Sequence, residues 1–532
     1  MKILVIGLDA ATMDLIEPWA EAGHLPALAG LMREGVSARL ISTPNMHSAS
    51  AWTSILTGLN PGRHGLFVFS DRDFATGRQE FFKGGDRAGA IIGAHFGRQG
   101  LSAGFLNVPM TYPAECLPQG FMISGLDAPS LNEQAFCPAA LRSELLGEFP
   151  DYNFTPPGLG DLMRAGRIDD AISAWAQLTE TQTSAAEYLL KSRPVDFFMT
   201  VYTASDWGGH NLWQRVDHAD ALLLIYRALD RAVERLLDQT DEQTQVYVIS
   251  DHGMGPHTGA SYHLAEWLES RGYMLRNRAA QHRKSLISAG RSIARSVLPV
   301  SIRERIKSGI GGESVKRLQA AEKDSFYSSI DWSATVAYTE PGRHVININL
   351  AGRNGQGIVS PSEYQGVCAQ IIEDLRNWTD ARGIRVVERI ARRDESYFGP
   401  FQGRASDLYV YWNPAANLGD PPPEVRARGF WWSGDHRLEG VLICKGAGIR
   451  RGAKLDPVTV YDLLPTMMYA AQLPVPENLD GQVIRQAYAD DFVAHNPIQV
   501  DSSQQSAPAA PTSLSNAEEQ MIEEKLRGLG YL

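Results

Sequence analysis

The segment Val246-Tyr247-Val248-Ile249-Ser250-Asp251-His252-Gly253 runs apolar almost without interruption and then stops at an acid and an imidazole. β-Branched and aromatic residues on successive positions suit a strand covered on both faces, as in the middle of a parallel sheet. Two other stretches follow the same plan: Ile3 to Leu8 ends at Asp9, and Phe197 to Tyr202 leads through Thr203-Ala204-Ser205 to Asp206. Between such runs lie helical patterns. From Ala219 to Leu237, the residues Leu222, Leu223, Ile225, Tyr226, Leu229, Val233, Leu236 and Leu237 recur at helical spacing. Strand alternating with helix predicts an α/β fold with a mostly parallel central sheet and helices on both faces. Ligands of such folds sit beyond the carboxyl ends of the strands, so the polar residues placed there should converge on one cleft.

The remaining composition narrows the class. Of 532 residues, 44% are hydrophobic and 21% charged, which excludes wholesale disorder. A net charge of −11 argues against a nucleic-acid polymer as partner, because phosphate-backbone binding needs a positive footprint. No apolar run approaches the roughly 18 residues of a membrane span. The four cysteines, Cys116, Cys137, Cys368 and Cys444, form no CxxC pair and are expected to be reduced thiols rather than a disulfide framework or a zinc site. The apolar stretch after Met1 is too short for a secretory signal, so a cytoplasmic protein is expected.

Composition shifts divide the chain. Residues 1–263 carry most of the strand-end pattern. Residues 264–330 are expected to form a helical insertion or cap: Arg283, Lys284, Arg291, Arg295, Arg303, Arg305, Lys307, Lys316 and Arg317 make it basic. It reads as a solvated surface subdomain or as a lid that steers anions. Residues 331–490 return to the core pattern, 497–516 are polar and small like a linker, and 517–532 predict a final helix with Asn516 and Glu519 at capping-box spacing.

Collected at the strand ends are Asp9, Asp206 and His210, Asp251 and His252, and His436 in Gly434-Asp435-His436. Three carboxylates and three imidazoles suit Zn²⁺ or Mn²⁺. Six such groups exceed one tetrahedral site and fit two divalent ions about 3.5–4 Å apart, the arrangement that serves phosphoryl transfer. Two such cations balance three carboxylates and one alkoxide. The alkoxide would come from the segment 47–58, where Ser48, Ser50, Thr53 and Ser54 all qualify; coordination lowers the pKa of a hydroxyl that is otherwise a poor nucleophile.

These residues, with Gly7-Leu8-Asp9-Ala10, Thr57-Gly58-Leu59-Asn60-Pro61-Gly62-Arg63-His64-Gly65, Asn107-Val108-Pro109-Met110-Thr111-Tyr112-Pro113 and Asp462-Leu463-Leu464-Pro465-Thr466, resemble the type I phosphodiesterase/nucleotide pyrophosphatase branch of the alkaline phosphatase superfamily. The resemblance covers most of residues 1–490. It implies an alkaline phosphatase-like core, one metal held by Asp206, His210 and His436, and another held by Asp9, Asp251, His252 and the nucleophile. In the family the nucleophile lies nine residues before the Thr of the Thr-Gly pair, which selects Ser48, with Ser50 as runner-up. Relatives that cleave nucleotides carry an Asn three residues further on; Ala51 stands there, and Asn107 is the candidate replacement as phosphate contact. Ser50 and Trp52 depart from the sulfatase pattern.

The expected activity is hydrolysis of phosphodiester or pyrophosphate bonds through a covalent phospho-enzyme, with two divalent ions, Zn²⁺ first and Mn²⁺ second. Phosphotransferase or phosphomonoesterase activity is the alternative, and a non-catalytic binding protein on the same fold a more distant one. The substrate would be a small-molecule, lipid or sugar phosphate ester. Around the cleft, His64, His257 and His263 read as loop-fixing groups, Asp435 as an orienting acid, and Arg343, His344 and Arg353 as groups that could meet a substrate anion.

Overall fold

The computed structural model describes residues 1–213, 220–277, 326–422, 432–502 and 514–529. The apolar runs become β1 (Ile3–Leu8), β8 (Phe197–Tyr202) and β9 (Gln245–Ile249), which lie side by side with β1 in the middle. Around them a ten-stranded sheet adds β2 (Val36–Ile41), β5 (Ala103–Asn107), β6 (Phe121–Gly125), β7 (Phe136–Cys137), β16 (Glu439–Lys445), β17 (Ala453–Lys454) and β18 (Val458–Thr459). The order is β17-β2-β16-β9-β1-β8-β5-β6-β7, with β18 beside β2. Only β16 and β7 run against the others, so the sheet is mostly parallel.

Alternation along the strands feeds two separate cores. Leu4, Ile6, Leu8, Phe198, Val246 and Val248 face one, where the helices Ile168–Ser192 and Ala221–Leu237 pack. Ile3, Val5, Met199, Val201, Tyr247 and Ile249 face the other, against the helices Ser48–Thr57 and Leu463–Ala470. Burial on both faces is why these strands read as continuous apolar runs. On the helix Ala221–Leu237, Leu224 falls off the apolar stripe and stands exposed. The approach of the Ser48–Thr57 helix to β1 depends on Gly7, where a Cβ would lie 2.6 Å from Trp52 Cη2 and 2.8 Å from Val201 Cγ2.

A second, antiparallel sheet stands apart: β11 (Ala337–Tyr338), β12 (Val345–Ile348), β14 (Leu408–Trp412) and β13 (Val387–Arg392), in that order. Its own core joins Ile346, Ile348, Leu408 and Val410 to Ile371 and Leu375 of the helix Tyr364–Arg376 and to Leu264 and Leu268 of the helix Ala260–Ser270. Of the expected helical cap at 264–330, residues 278–325 lie outside the described residues. Two ribbons flank the cleft: β3 (Ser70–Arg72) with β4 (Gln79–Phe81), and β10 (Gly253–Pro256) with β15 (Gly434–Arg437). In the expected linker, residues 503–513 lie outside the described residues, while β20 (Val500–Asp501) pairs with β19 (Val475–Pro476).

Two expectations need correction. Cys116 and Cys137 form a disulfide, while Cys368 and Cys444 are buried free thiols. The pairing of β6 with β7 sets Cys137 opposite Met122, and the loop before β6 returns Cys116 to within 5.2 Å, Cα to Cα. The two cysteines are 21 positions apart in sequence, so no short motif announces the bond. The bond removes the thiol argument for a reducing compartment. The final helix, Asn516–Leu529, is capped one residue earlier than its spacing suggests. The Glu518 carboxylate accepts from Ser515 N at 2.9 Å and the Ser515 hydroxyl from Glu518 N at 3.3 Å. The helix docks by burying Ile522 and Leu526. No described helix is long and apolar enough to cross a membrane.

Candidate metal centre and active site

Each strand of the central trio delivers its polar residue at the same edge. Asp9 follows β1, and Asp251-His252 follows β9. After β8 the helix Ala204–Leu212 carries Asp206 and His210 four residues apart, hence on one face. Antiparallel pairing of β10 with β15 sets His436 opposite Met254 and so closes the cleft from a distant part of the chain. Ser48 begins the helix Ser48–Thr57, capped by His47, at the end where the helix dipole is positive. Asp9, Ser48, Asp206, His210, Asp251 and His252 are all buried.

The side chains fall into two groups, Asp206-His210-His436 and Asp9-Asp251-His252, each with donor atoms within 4.8 Å of one another. In the first, His210 Nε2 and His436 Nε2 are 2.9 Å apart, and Asp206 Oδ1 lies 3.5 Å and 3.3 Å from them. In the second, His252 Nε2 lies 3.3 Å from Asp251 Oδ2. The groups abut: the His252 and His436 rings have centroids 3.9 Å apart. Ser48 Oγ lies 3.0 Å from His252 Nε2 and 3.4 Å from Asp9 Oδ1.

The three imidazoles share one device. Nδ1 of His436, His210 and His252 faces the backbone carbonyls of Met46 (2.7 Å), Gly434 (3.2 Å) and Gly253 (3.1 Å). A carbonyl can only accept, so Nδ1 carries the proton and the Nε2 lone pair is turned to the centre, as metal-ligating histidines require. The carboxylates are as telling. Burial first, then repulsion from Asp251 and Asp206, holds the Asp9 carboxyl well above the usual range, and burial raises Asp251 to about 6. Burial opposes ionisation of Asp206 too, yet His210 and His436 keep it below the ordinary value. Among the described residues no lysine or arginine pairs with Asp9 or Asp251. Inward-facing imidazole nitrogens around uncompensated acids are a donor set that fits divalent cations.

Left-handed backbone at non-glycine residues flanks the centre: Ala10 (φ 54°), Met46 (φ 48°) and Asn107 (φ 60°). Each costs on the order of 1–3 kcal/mol, and such strain collects where geometry is held for a purpose. At two of the three positions the purpose is visible, since Ala10 N donates to Asp251 Oδ1 at 3.2 Å and the Met46 carbonyl holds His436.

A family model for type I phosphodiesterase / nucleotide pyrophosphatase matches residues 3–422. The chain belongs to that family. As a type I phosphodiesterase/nucleotide pyrophosphatase it is a hydrolase of the phosphodiesterase/pyrophosphatase class. No curated protein matches its sequence. Among solved structures, phosphonoacetate hydrolase from Sinorhizobium meliloti 1021 is similar in fold, with TM-score 0.52 at 15% identity over 88% of this chain and 96% of that one. Human ectonucleotide pyrophosphatase / phosphodiesterase 5 has TM-score 0.48 at 11% identity over 92% of this chain and 100% of that one. His436 lies beyond the segment the family model matches, and the β10–β15 ribbon brings it in.

In this phosphodiesterase family member the competing hydroxyls are engaged elsewhere. Ser50 Oγ meets Asn45 Oδ1 at 2.8 Å and the His47 carbonyl at 2.9 Å, Thr53 donates to the Ala49 carbonyl, and Ser54 meets His64 Nε2 at 3.0 Å. Asn107 accepts from the Tyr152 hydroxyl, and its buried Nδ2 meets no acceptor; its hydrogen bonds reach neither acid group. His257 stacks on Tyr262, and the half-buried His263 reaches Glu266 and the Asp420 carbonyl. Asp435 accepts from His344 Nε2 at 2.9 Å, tying the second sheet to the residue beside His436. Arg353 is spent on Asp407, at 2.6 Å and 2.8 Å. Sequence reasoning overlooked Trp52, whose indole N–H donates to Asp9 Oδ2 at 3.3 Å. Its position four residues after Ser48, on the same helical face, is the signal that could have found it.

Proposed function

We propose that the chain hydrolyses phosphodiester or pyrophosphate bonds with Ser48 as nucleophile, using two divalent ions held by Asp206, His210 and His436 and by Asp9, Asp251 and His252. Zn²⁺ is the first choice and Mn²⁺ the second. The observation that carries this reading is the place of Ser48: a buried hydroxyl at a helix N-terminus, within 3.0 Å of His252 Nε2 and 3.4 Å of Asp9 Oδ1. When bound, the cations supply the positive charge that lowers the serine pKa and offsets charge on the phosphoryl oxygens.

The protein's own residues supply the rest. Backbone carbonyls of Met46, Gly434 and Gly253 fix three imidazoles so that their Nε2 atoms face inward. Trp52 pins one oxygen of Asp9. Ser48 Oγ attacks phosphorus in line; the new O–P bond forms as the P–O bond to the leaving group breaks, and the proton that Ser48 gives up is returned, through solvent, to the leaving oxygen. Water then cleaves the phosphoseryl ester and restores the hydroxyl. Asn107 Nδ2, a buried donor without an acceptor, is the chain's candidate donor to a phosphate oxygen.

Protein stripped with chelator and reloaded with Zn²⁺ or Mn²⁺ tests this on a nitrophenyl phosphate diester, the monoester and the sulfate ester. Diester turnover should dominate and disappear on stripping. Ser48→Ala should keep metal binding and lose at least about 10³-fold in kcat. A fully active Ser48→Ala protein would falsify the nucleophile assignment.

A further inference from the structure

The second sheet touches the centre at two places, and both lead to His436. The first is the turn before the nucleophile helix. Met46 has left-handed backbone, φ 48°, with its carbonyl 2.7 Å from His436 Nδ1 and its side chain buried in a small core with Tyr397, Tyr409 and Tyr411. Tyr409 and Tyr411 belong to β14. The Tyr411 hydroxyl donates to the Pro44 carbonyl at 2.7 Å, and the Tyr397 hydroxyl donates to Asn45 Oδ1 at 3.2 Å. Two successive residues are therefore hydrogen-bonded from outside the turn before the chain reaches Met46. Strained backbone of this kind persists only where its surroundings hold it.

The second place is β15. Asp435 Oδ1 accepts from His436 N at 3.0 Å and from His344 Nε2 at 2.9 Å. His344 immediately precedes β12, and its carbonyl accepts from Val410 N of β14, so the ring stands on the sheet itself. Its Nδ1 is buried without a partner, so the ring's hydrogen bond goes to Asp435. Of the three donors in this group, Asp206 and His210 share one helix, whose geometry sets them relative to each other. His436 rides on a ribbon of four paired residues, and tertiary contacts must place it against that helix. Hydrogen bonds behind a ligand, to the groups that hold it, set how much affinity a metal site delivers.

We propose that the second sheet is the positioning element of one of the two cation sites, the Asp206-His210-His436 group, acting through Tyr411 on the Met46 turn and through His344 on Asp435. The proposal rests on the two-ion reading above for the ligand, and on these hydrogen bonds alone for the placement of His436. Occupancy of that group and seating of the second sheet then favour each other, because linkage is reciprocal.

Two measurements separate those supports. Stripped protein titrated with Zn²⁺ against a chromophoric chelator should show two binding steps, and the step that His436→Ala removes belongs to this group. His344→Leu and Tyr411→Phe should each weaken that step about tenfold and leave the other within about twofold. His344→Gln, whose side-chain amide can still donate to Asp435, should recover most of the loss. Tyr273→Phe removes a hydroxyl that belongs to the same second core but bonds to Asp374, and should shift neither step. Metal-free protein gives the independent readout. Spectra of ¹⁵N-histidine protein report the Nδ1–H that His436 donates to Met46, assigned by its loss in His436→Ala. Its exchange with water should quicken about tenfold in Tyr411→Phe. If His344→Leu fails to fold, Tyr411→Phe decides. Both steps weakened alike, neither weakened, or an effect of Tyr273→Phe as large as that of Tyr411→Phe overturns the proposal. A wild-type protein that binds no Zn²⁺, with His436 exchange that still follows Tyr411→Phe, leaves the positioning standing and removes the two-ion reading instead.

Discussion

Two regions bury carboxylates completely and treat them in opposite ways. In the second sheet Asp407 receives both arms of Arg353, Arg393 at 3.0 Å, the Tyr364 hydroxyl at 2.9 Å and Ile348 N at 2.7 Å. At the edge of the parallel sheet Asp9 and Asp251 share a small buried space with each other and with Asp206, and no cationic side chain among the described residues pairs with either. A buried acid is tolerated only when its charge is met. Asp407 is met by the protein and holds a fold together, whereas Asp9 and Asp251 leave a demand that a bound cation would fill. The buried acid alone is therefore uninformative; what surrounds it separates structure from chemistry.

The contrast can be tested by breaking each side. Asp407→Ala strands two arginines against the second core, and a loss of about 3–5 kcal/mol in urea unfolding is expected. A loss below about 1 kcal/mol would mean that the arginines find water, and the contrast would weaken. Adding Zn²⁺ or Mn²⁺ to stripped protein at a hundred times Kd should raise unfolding stability by about 2.7 kcal/mol, seen as a rise in Tm. Asp9→Asn removes one of the crowded charges. Its metal-free form should gain about 1 kcal/mol, and the metal response should shrink or vanish. If Asp9→Asn instead destabilises the stripped protein, the crowding argument fails.

His64 sharpens the comparison from a third direction, since it meets burial by staying neutral. Burial, with Arg87 nearby, lowers its pKa to about 3. The unfolded chain titrates near the ordinary value of 6.5. Between those values the unfolded state binds more protons, so the His64 contribution is complete above about pH 6.5 and is lost as pH falls toward 3. The slope is at most about 1.4 kcal/mol per pH unit. His64→Gln should flatten the acid limb of the stability curve by that slope; an unchanged limb would show that His64 takes up its proton in the folded state as readily as in the unfolded chain.

Much of the centre was legible because parallel strands advertise themselves. β1, β8 and β9 are apolar on both faces, and the first acid after each run stands at the same edge of the sheet. The i,i+4 spacing of Asp206 and His210 likewise places both on one helical face before any tertiary contact is known. Other features were not legible, for identifiable reasons. Cys116 and Cys137 meet only through the antiparallel return of β7 onto β6. The cap at Ser515 competes with an equally good spacing at Asn516, and docking of Ile522 and Leu526 sets the phase. That residues 337–412 close their own sheet depends on pairings between β12, β13 and β14, distant segments that no local period reveals. Arg353 looked like an anion contact until Asp407 came opposite it.

From sequence alone the chemistry of the donors followed, along with their place at strand ends and the alternation that builds a parallel sheet, because these depend on residue type and short-range period. Tertiary structure decided how the Ser48 hydroxyl, singled out in the sequence only by the spacing of the family it resembles, comes to meet the acids. Ser48, Ser50, Thr53 and Ser54 are equivalent by composition, and helix phase against β1, set by the absence of a side chain at Gly7, turns Ser48 toward Asp9 and His252. It also decided how His436, already counted among the donors from sequence, reaches the other two of its group: a ribbon between β10 and β15 carries it there across nearly two hundred residues of chain.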